Sequence, residues 1–205
     1  MARYIGFYWT LPVPFAGFTA LPADIDAAAA QSRSVRYQRE RVRRWVHAEA
    51  GELVAERAFL ELAPDRGTAA VTGDLDAAIA LSRASDAALV LVDFAESFGW
   101  RRHPALWDRL REAGASHMAL TPDPVMIDGQ VFDPMAHFRR WREIWDAFRA
   151  SRPERKAAIA EAIGALAIEG GAYAEIAKQL NASDIKTLNG KPWTKETVRK
   201  FLKSS

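Results

Sequence analysis

The side chains best suited to chemistry in this sequence are the lysines and arginines that follow Tyr173. Seven of them lie between Tyr173 and Ser205 against three acids, which gives this stretch a net charge of +4. The whole chain carries +2, so the residues before Tyr173 sum to −2. Cations gathered on a small helical unit are the electrostatic footprint of a protein that binds a phosphate backbone. The charge pattern therefore favours double-stranded DNA as a partner.

Two short amphipathic helices are predicted to carry these cations. Tyr173–Leu180 and Thr194–Leu202 both place apolar residues at three- and four-residue steps, which is the spacing of one helix face. The polar segment between them is broken by Asn189-Gly190 and by Pro192. Thr194 is predicted to be the N-cap of the second helix, because its hydroxyl can accept a backbone N–H from the first turn. The pattern predicts a helix, a turn and a second helix.

The sequence from Ile176 to Leu202 resembles the helix-turn-helix of serine recombinases, the resolvase and invertase superfamily. The resemblance is carried by the amino-acid sequences of three short runs, which are QLN at 179–181, IKTLNGKPW at 185–193 and TVR at 197–199. It implies that Thr194–Leu202 enters the major groove of DNA. The alternative is a helical hairpin that only packs against the rest of the protein.

The resemblance also implies which side chains contact DNA. Lys195, Thr197 and Lys191 are expected to reach bases, while Lys200 and Lys203 are expected to bind phosphates. The full set of expected DNA-binding residues is Lys178, Lys186, Thr187, Asn189, Lys191, Thr194, Lys195, Thr197, Arg199, Lys200 and Lys203.

The elements that precede this unit alternate between strand and helix. Strands are predicted at Arg3–Tyr8, Glu52–Leu60, Ala87–Phe94, Ser116–Thr121 and Gln130–Phe132, and helices at Ala27–Ala50, Leu75–Ala84 and His103–Ala113. Such alternation predicts an α/β fold with a mostly parallel sheet of four to five strands flanked by helices. Gly51 is expected to end the first helix, as a glycine that follows a helix does. The arginines of that helix are expected to form a solvated, ion-paired face, with contact to DNA or a partner as the alternative.

The catalytic domain of serine recombinases has this order of elements, and Leu89–Gly99 resembles its apolar strand before an arginine motif. In that family a serine after the first strand attacks a DNA phosphodiester, and arginines stabilise the developing charge. Here Thr10 is the hydroxyl nearest the nucleophile position, Glu96 falls on the acidic position, and Arg101 and Arg102 lie just beyond the arginine positions. The mismatch implies a degenerate site that no longer cuts DNA. The alternative is a rearranged active site built from these four residues.

Two apolar features predict contacts between proteins. The helix Pro134–Ala150 carries an aromatic stripe that either packs on the sheet or forms the seam of a homodimer, and its residues are Met135, Phe138, Trp141, Trp145 and Phe148. The proline-rich loop Thr10–Asp26 carries further aromatic residues and is expected to be a surface for a protein or for self-association. A third functional interpretation is therefore an interaction subunit or an inhibitor. A second helix is predicted at Glu154–Ile168.

The predicted organisation has three parts, a resolvase-like α/β domain at 1–133, connecting or dimerisation helices at 134–169 and a helix-turn-helix unit at 170–205, with Gly170-Gly171 as a hinge. The sequence has no cysteine, and its four histidines lack metal-ligand spacing, so neither a metal nor a cofactor is expected. The apolar run Ile5–Pro22 is interrupted by prolines and glycines and is not expected to span a membrane. A cytoplasmic protein is the expectation.

Overall fold

The computed structural model describes residues 1–95, 101–168 and 172–203. The chain divides into two compact units, the first formed by Met1–Pro12 and Thr19–Arg139 and the second by Val13–Phe18 and Arg140–Ser205. The predicted division into three parts stays a prediction. No helix within the described ranges has both the length and the apolar character needed to cross a membrane.

The first unit is built on a parallel sheet of four strands. These are β1 (Arg3–Thr10), β2 (Glu52–Leu60), β3 (Ala88–Val92) and β4 (His117–Leu120), arranged in the order β2-β1-β3-β4. The two central strands supply much of the core, because their apolar side chains are almost completely buried. The predicted α/β class with a parallel sheet is confirmed, and the architecture is consistent with a resolvase-like fold.

Helices connect these strands, as parallel pairing requires. They are α1 (Ile25–Gln31), α2 (Arg33–Ala48), α3 (Val71–Ala84) and α4 (Pro104–Glu112). After β4, the short strands β5 (Val125–Ile127) and β6 (Gln130–Phe132) form an antiparallel hairpin apart from the main sheet. Its turn residues Asp128 and Gly129 both have positive φ, which is the backbone twist that two-residue hairpins favour.

The single helix predicted over Ala27–Ala50 is wrong, because the chain breaks at Ser32. This residue is extended, with φ −118° and ψ 110°, and its Oγ accepts a hydrogen bond of 3.3 Å from the N–H of Val35. Ser32 therefore caps α2 while the chain changes direction after α1. The residue has the short hydroxyl side chain that N-caps favour, but helical periodicity on both sides hid the break.

The structure corrects the expected end of this helix at Gly51. Ala50 is the residue in the left-handed region, with φ +49°, and α2 ends at Ala48. Gly51 is needed for space instead, since a Cβ at this position would lie 2.4 Å from Cε2 of the Tyr4 ring. The glycine therefore allows the chain to approach the Tyr4 ring closely just before β2 begins.

Two long helices and then two short helices follow the hairpin. They are α5 (Pro134–Ala150), α6 (Arg152–Ile168), α7 (Tyr173–Ala182) and α8 (Lys195–Lys203). In the second unit, one core cluster joins the last three of them, and its buried members are Ile159, Ile163, Ile176, Ala177, Leu180, Trp193, Val198 and Phe201. The helices α7 and α8 lie at the two stretches whose periodicity predicts helix. The expected hinge at Gly170-Gly171 lies outside the described residues, and the helix-turn-helix assignment stays a prediction.

Candidate nucleic-acid interface and sheet-edge site

Thr10 ends β1 at the carboxyl edge of the parallel sheet, the edge where α/β proteins place their functional groups. Its side chain is buried, with 4% of the residue exposed, and its Oγ1 lies 3.5 Å from Oγ of Ser32. The preceding backbone is held by Gln38, whose amide accepts from the N–H of Trp9 at 3.2 Å and donates to its C=O at 2.7 Å. The hydroxyl of Thr10 therefore lies inside the first unit.

Arg101 lies among aromatic rings in the same unit. Its guanidinium carbon is 4.7 Å from the centre of the Trp9 ring, 4.9 Å from Phe94 and 3.9 Å from Phe138. Burial lowers the pKa of Arg101 to about 9, because the charged form loses its hydration. Arg102 is exposed, so the two neighbouring arginines point to different environments. Glu96, the remaining candidate, lies outside the described residues.

A buried carboxylate and imidazole lie at the same edge of the sheet. Oε1 of Glu61, directly after β2, is 2.5 Å from Nε2 of His103, and both side chains are buried. Nδ1 of His103 accepts a hydrogen bond of 3.3 Å from the N–H of Leu106 at the start of α4. With Nδ1 as the acceptor of this hydrogen bond, Nε2 is the ring nitrogen that donates to Glu61. Oε2 of Glu61 accepts from the N–H and the hydroxyl of Thr68 at 3.0 and 2.7 Å.

Sequence reasoning did not find this pair as a site. Glu61 and His103 are separated by 42 positions, and only the fold brings them together. One signal was available, because Glu61 follows a predicted strand and His103 opens a predicted helix, so both fall at the same sheet edge. Gly67 allows the close approach, since a Cβ there would lie 2.5 Å from Cγ of the His103 ring.

The arginines of α2 are largely ion-paired. The pairs are Arg36 with Asp128, Arg39 with Asp26 and Glu56, Arg41 with Asp123, Arg43 with Glu56, and Arg44 with Glu40. Burial alone would raise the pKa of Glu56, but hydrogen bonds from Arg43 and Arg39 hold it below its usual value. This helix face therefore has the ion-paired character that the sequence predicts.

In the second unit, Asn181 fixes the entry to α8. Its amide Nδ2 donates to the C=O of Trp193 at 2.9 Å, and its Oδ1 accepts from the N–H of Trp193 at 2.8 Å. The indole of Trp193 packs edge-on against Phe201, with 5.6 Å between ring centroids. Thr194 caps α8, because its Oγ1 accepts from the N–H of Thr197 at 3.2 Å. The Thr194 cap predicted from the sequence is present in the fold.

Most of the side chains expected to contact DNA are exposed on this unit. The exposed ones are Lys178, Lys186, Asn189, Lys191, Thr194, Lys195, Arg199, Lys200 and Lys203. Thr187 and Thr197 are half-buried, and their hydroxyls have local roles. Oγ1 of Thr197 donates to the C=O of Thr194 at 2.9 Å, and Oγ1 of Thr187 accepts from the N–H of Lys191 at 3.0 Å.

Lys186 and Arg199 also have partners within the unit. Nζ of Lys186 is 2.6 Å from Oδ1 of Asp184, and Nη2 of Arg199 is 2.6 Å from Oε2 of Glu196. Because all four side chains are substantially exposed, these pairs contribute little stability. The helix α8 therefore presents a basic, solvent-facing side opposite its apolar contacts with the core.

The turn that carries Asn189 and Lys191 packs against the segment Val13–Phe18. The N–H of Gly190 donates to the C=O of Thr187 at 2.8 Å, and Gly190 has φ +75°. A Cβ at Gly190 would lie 2.7 Å from the carbonyl oxygen of Pro14. The predicted loop Thr10–Asp26 is thus shorter than expected, because β1 extends to Thr10 and α1 begins at Ile25, and part of it belongs to the second unit.

The residues of the aromatic stripe have different surroundings. Phe138 is 2% exposed and contacts Phe94 in the first unit. In the second unit, Trp141 and Trp145 stack with 5.9 Å between centroids, and Phe148 stacks on Phe15 at 4.7 Å. Met135 is half-buried. The stripe as the seam of a homodimer stays a prediction. Among the described residues, no cluster of three or more His, Asp or Glu side chains has the geometry to hold a metal ion.

Comparison with known proteins connects the C-terminal quarter of the chain to one family. Residues 154–205, which include α6, α7 and α8, match the family described as Recombinase. The match supports a recombinase-family relationship for the chain and lies on the same unit as the exposed cations. Neither the curated proteins nor the solved structures contain a match.

Proposed function

We propose that this protein binds double-stranded DNA through its C-terminal helices and descends from a serine recombinase whose catalytic site is degenerate. It acts as a transcriptional regulator or an architectural factor, as a homodimer in the cytoplasm. The helix α8 enters the major groove, and α7 crosses the backbone. The two helices and the turn between them form a helix-turn-helix.

One observation carries this proposal, namely the placement of the cations on the unit that matches the Recombinase family. Lys195, Arg199, Lys200 and Lys203 are exposed on α8, while Val198 and Phe201 hold the other side of the helix in the core. A helix fixed by its apolar side and basic on its free side suits the major groove. The Thr194 cap and the Asn181 hydrogen bonds keep its N-terminal end rigid, which is the end that reads bases in this arrangement.

The loss of cleavage is supported by the surroundings of the catalytic candidates. Thr10 and Arg101 are each 4% exposed, and Arg101 is enclosed by aromatic rings. Catalysis at a phosphodiester needs a hydroxyl and cationic donors that both touch the phosphate. In this conformation neither group is accessible to a DNA strand.

Titration of fluorescent duplex DNA with the full chain at several salt concentrations tests DNA binding. The logarithm of the affinity is expected to fall linearly with the logarithm of the salt concentration, because phosphate contacts release counterions. Lys200→Ala is expected to reduce that slope by about one. Arg111→Ala, which removes an exposed cation from α4 of the first unit, is the matched control and leaves the slope unchanged. Binding without salt dependence contradicts the proposal.

A second candidate function, compatible with the Recombinase family match at residues 154–205, is an active recombinase with a rearranged site. In this candidate Thr10 is the nucleophile, Arg101 and Arg102 donate hydrogen bonds to the phosphate, and Glu96 is the acidic group. This candidate predicts a covalent adduct between protein and supercoiled DNA that disappears in Thr10→Ala. The degenerate-site proposal expects no adduct from the natural protein. It expects none from Thr10→Ser either, since this substitution leaves Arg101 buried. An adduct that depends on Thr10 decides for the recombinase.

A further inference from the structure

The helix α8 carries one acidic side chain among its cations. Glu196 lies in the first turn, two residues after the Thr194 cap, and 56% of its side chain is exposed. Lys195, Arg199 and Lys200 are exposed on the same helix. A carboxylate close to phosphates raises the free energy of a DNA complex unless cations or hydrogen-bond donors compensate for the repulsion. Arg199 supplies one cation, and the remaining lone pairs of the carboxylate are free to accept from a donor on the DNA. In a DNA complex, Glu196 is therefore expected to face a hydrogen-bond donor in the groove.

Arg199 orients this carboxylate. Nη2 of Arg199 lies 2.6 Å from Oε2 of Glu196, and the two residues are three positions apart, so they project from one side of α8. Val198 and Phe201 are buried on the side that faces the core. The pair thus stands on the free side of the helix, within the turns nearest the capped end.

The chemistry of the pair is complementary to one base pair. A carboxylate only accepts hydrogen bonds and a guanidinium only donates them. In the major groove, cytosine offers its N4 amino group as a donor, and the guanine paired with it offers O6 and N7 as acceptors. Thymine offers the O4 acceptor and a methyl group, so it would leave the carboxylate without a donor.

We propose that Glu196, oriented by Arg199, reads a C·G base pair in the DNA site, with the carboxylate accepting from cytosine N4 and the guanidinium donating to the guanine. This inference rests on the proposed DNA-binding function and makes Glu196 a specificity determinant within it. Affinity comes from the surrounding lysines, and Glu196 excludes sites that have thymine at its position.

A purely structural role for Glu196 predicts different results. An acid in the first turn stabilises a helix through the macrodipole, and an exposed ion pair at this spacing adds a few tenths of a kcal/mol. In that case, removal of the carboxylate lowers the stability of α8 and leaves the base preference unchanged. Base preference is therefore the measurement that separates the two roles.

The test selects bound duplexes from a random-sequence pool with the full-length chain and sequences them. The natural protein is expected to select sites with one fixed C·G position that changes in the Glu196 variants. Glu196→Gln is expected to shift that position towards A·T, because a glutamine amide pairs with adenine N6 and N7. Glu196→Ala is expected to accept all four base pairs there, with about a tenfold loss of discrimination. Glu175→Gln, which removes an exposed acid from the first turn of α7, keeps the preference.

The outcomes distinguish this inference from the function on which it rests. If no pool of duplexes is enriched and binding shows no salt dependence, the DNA-binding proposal itself fails. If duplexes are enriched but both Glu196 variants select the same sites as the natural protein, DNA binding stands and the specificity role is overturned. A shift at the same position in Glu175→Gln also overturns it.

Discussion

Oε1 of Glu61 lies 2.5 Å from Nε2 of His103, which links the end of β2 to the start of α4 inside the first unit. Both side chains are buried, and the carboxylate also accepts two hydrogen bonds from Thr68. Removing one member of a buried pair leaves the other without a partner, which costs more than the pair itself contributes. The pair is therefore a structural joint whose loss is easily measured.

Glu61→Ala is expected to lower the free energy of unfolding by about 3 kcal/mol, because the imidazole and the Thr68 donors lose their acceptor. Urea unfolding measures the change. Glu40→Ala is the matched control, since Glu40 pairs with Arg44 on the exposed side of α2 and its loss is expected to cost at most about 0.5 kcal/mol. Equal costs for the two variants would contradict a buried joint at Glu61.

Gly190 and Gly17 form a second matched pair. Both have φ +75°, but a Cβ at Gly190 meets the Pro14 carbonyl at 2.7 Å, whereas nothing lies within 4 Å of one at Gly17. Gly17→Ala is expected to cost about 1 kcal/mol from backbone strain alone. Gly190→Ala is expected to cost about 2–4 kcal/mol, because the overpacking adds to the strain. Unfolding followed by tryptophan fluorescence compares them, and similar costs would mean that the contact with Pro14 is weak.

Substitutions at Asn181 and Asn189 are expected to separate an effect on stability from an effect on DNA binding. Asn181→Ala removes both hydrogen bonds to the Trp193 backbone and is expected to cost about 2 kcal/mol and to weaken DNA binding. Asn189→Ala, on the exposed turn, is expected to weaken DNA binding while stability changes by less than about 0.5 kcal/mol. Thermal unfolding and the DNA titration measure the two effects. An Asn181 variant of natural stability would show that the entry to α8 is held by other contacts.

The stability of the first unit is expected to depend on pH because of His137. Burial, followed by the charges of Arg33 and Arg101, lowers the pKa of His137 from 6.5 to about 4. The folded state favours the neutral ring of His137. Its contribution to the free energy of unfolding is therefore complete above about pH 6.5 and is lost as the pH falls towards 4. After a discount for partial exposure, the loss is about 1–2 kcal/mol.

Urea unfolding at pH 7 and at pH 4.5 measures this loss. His137→Gln is expected to flatten the acid limb of the stability curve, because its side chain does not titrate. His47→Gln, at an exposed position near the end of α2, is the control and keeps the slope of the natural protein. If the His137 variant has the same slope as the natural protein, other groups control the acid limb.

Periodicity predicted most elements because the elements themselves are regular. The run Ala88–Val92 is apolar throughout, and the structure buries it between two neighbouring parallel strands. The break at Ser32 escaped detection, since helical spacing continues on both sides and one capping hydroxyl looks like any surface serine. Of the two three-residue strands of the hairpin, Gln130–Phe132 was predicted and Val125–Ile127 was missed, since three residues are too few to show a period. Local pattern is thus sufficient for elements of several turns or alternations and insufficient for their joints.

The sheet-edge cluster could not be predicted from spacing. Glu61 and His103 meet only after β2 and α4 are placed, and Arg101 is next to an exposed arginine of the same type. Which of two adjacent arginines is buried depends on tertiary contacts with Trp9 and Phe138. The C-terminal cations were easier to identify, because a local excess of charge is a property of the sequence alone.

The segment Val13–Phe18 completes a unit whose remaining residues begin at Arg140, and this has a consequence for biosynthesis. Its contact at Gly190 forms only after the ribosome has added about 170 further residues, which takes roughly 9–34 s at about 5–20 residues per second. Phe15 has no Phe148 on which to stack until about 130 of those residues have been added. The nascent chain therefore exposes the aromatic side chain of Phe15 during this interval.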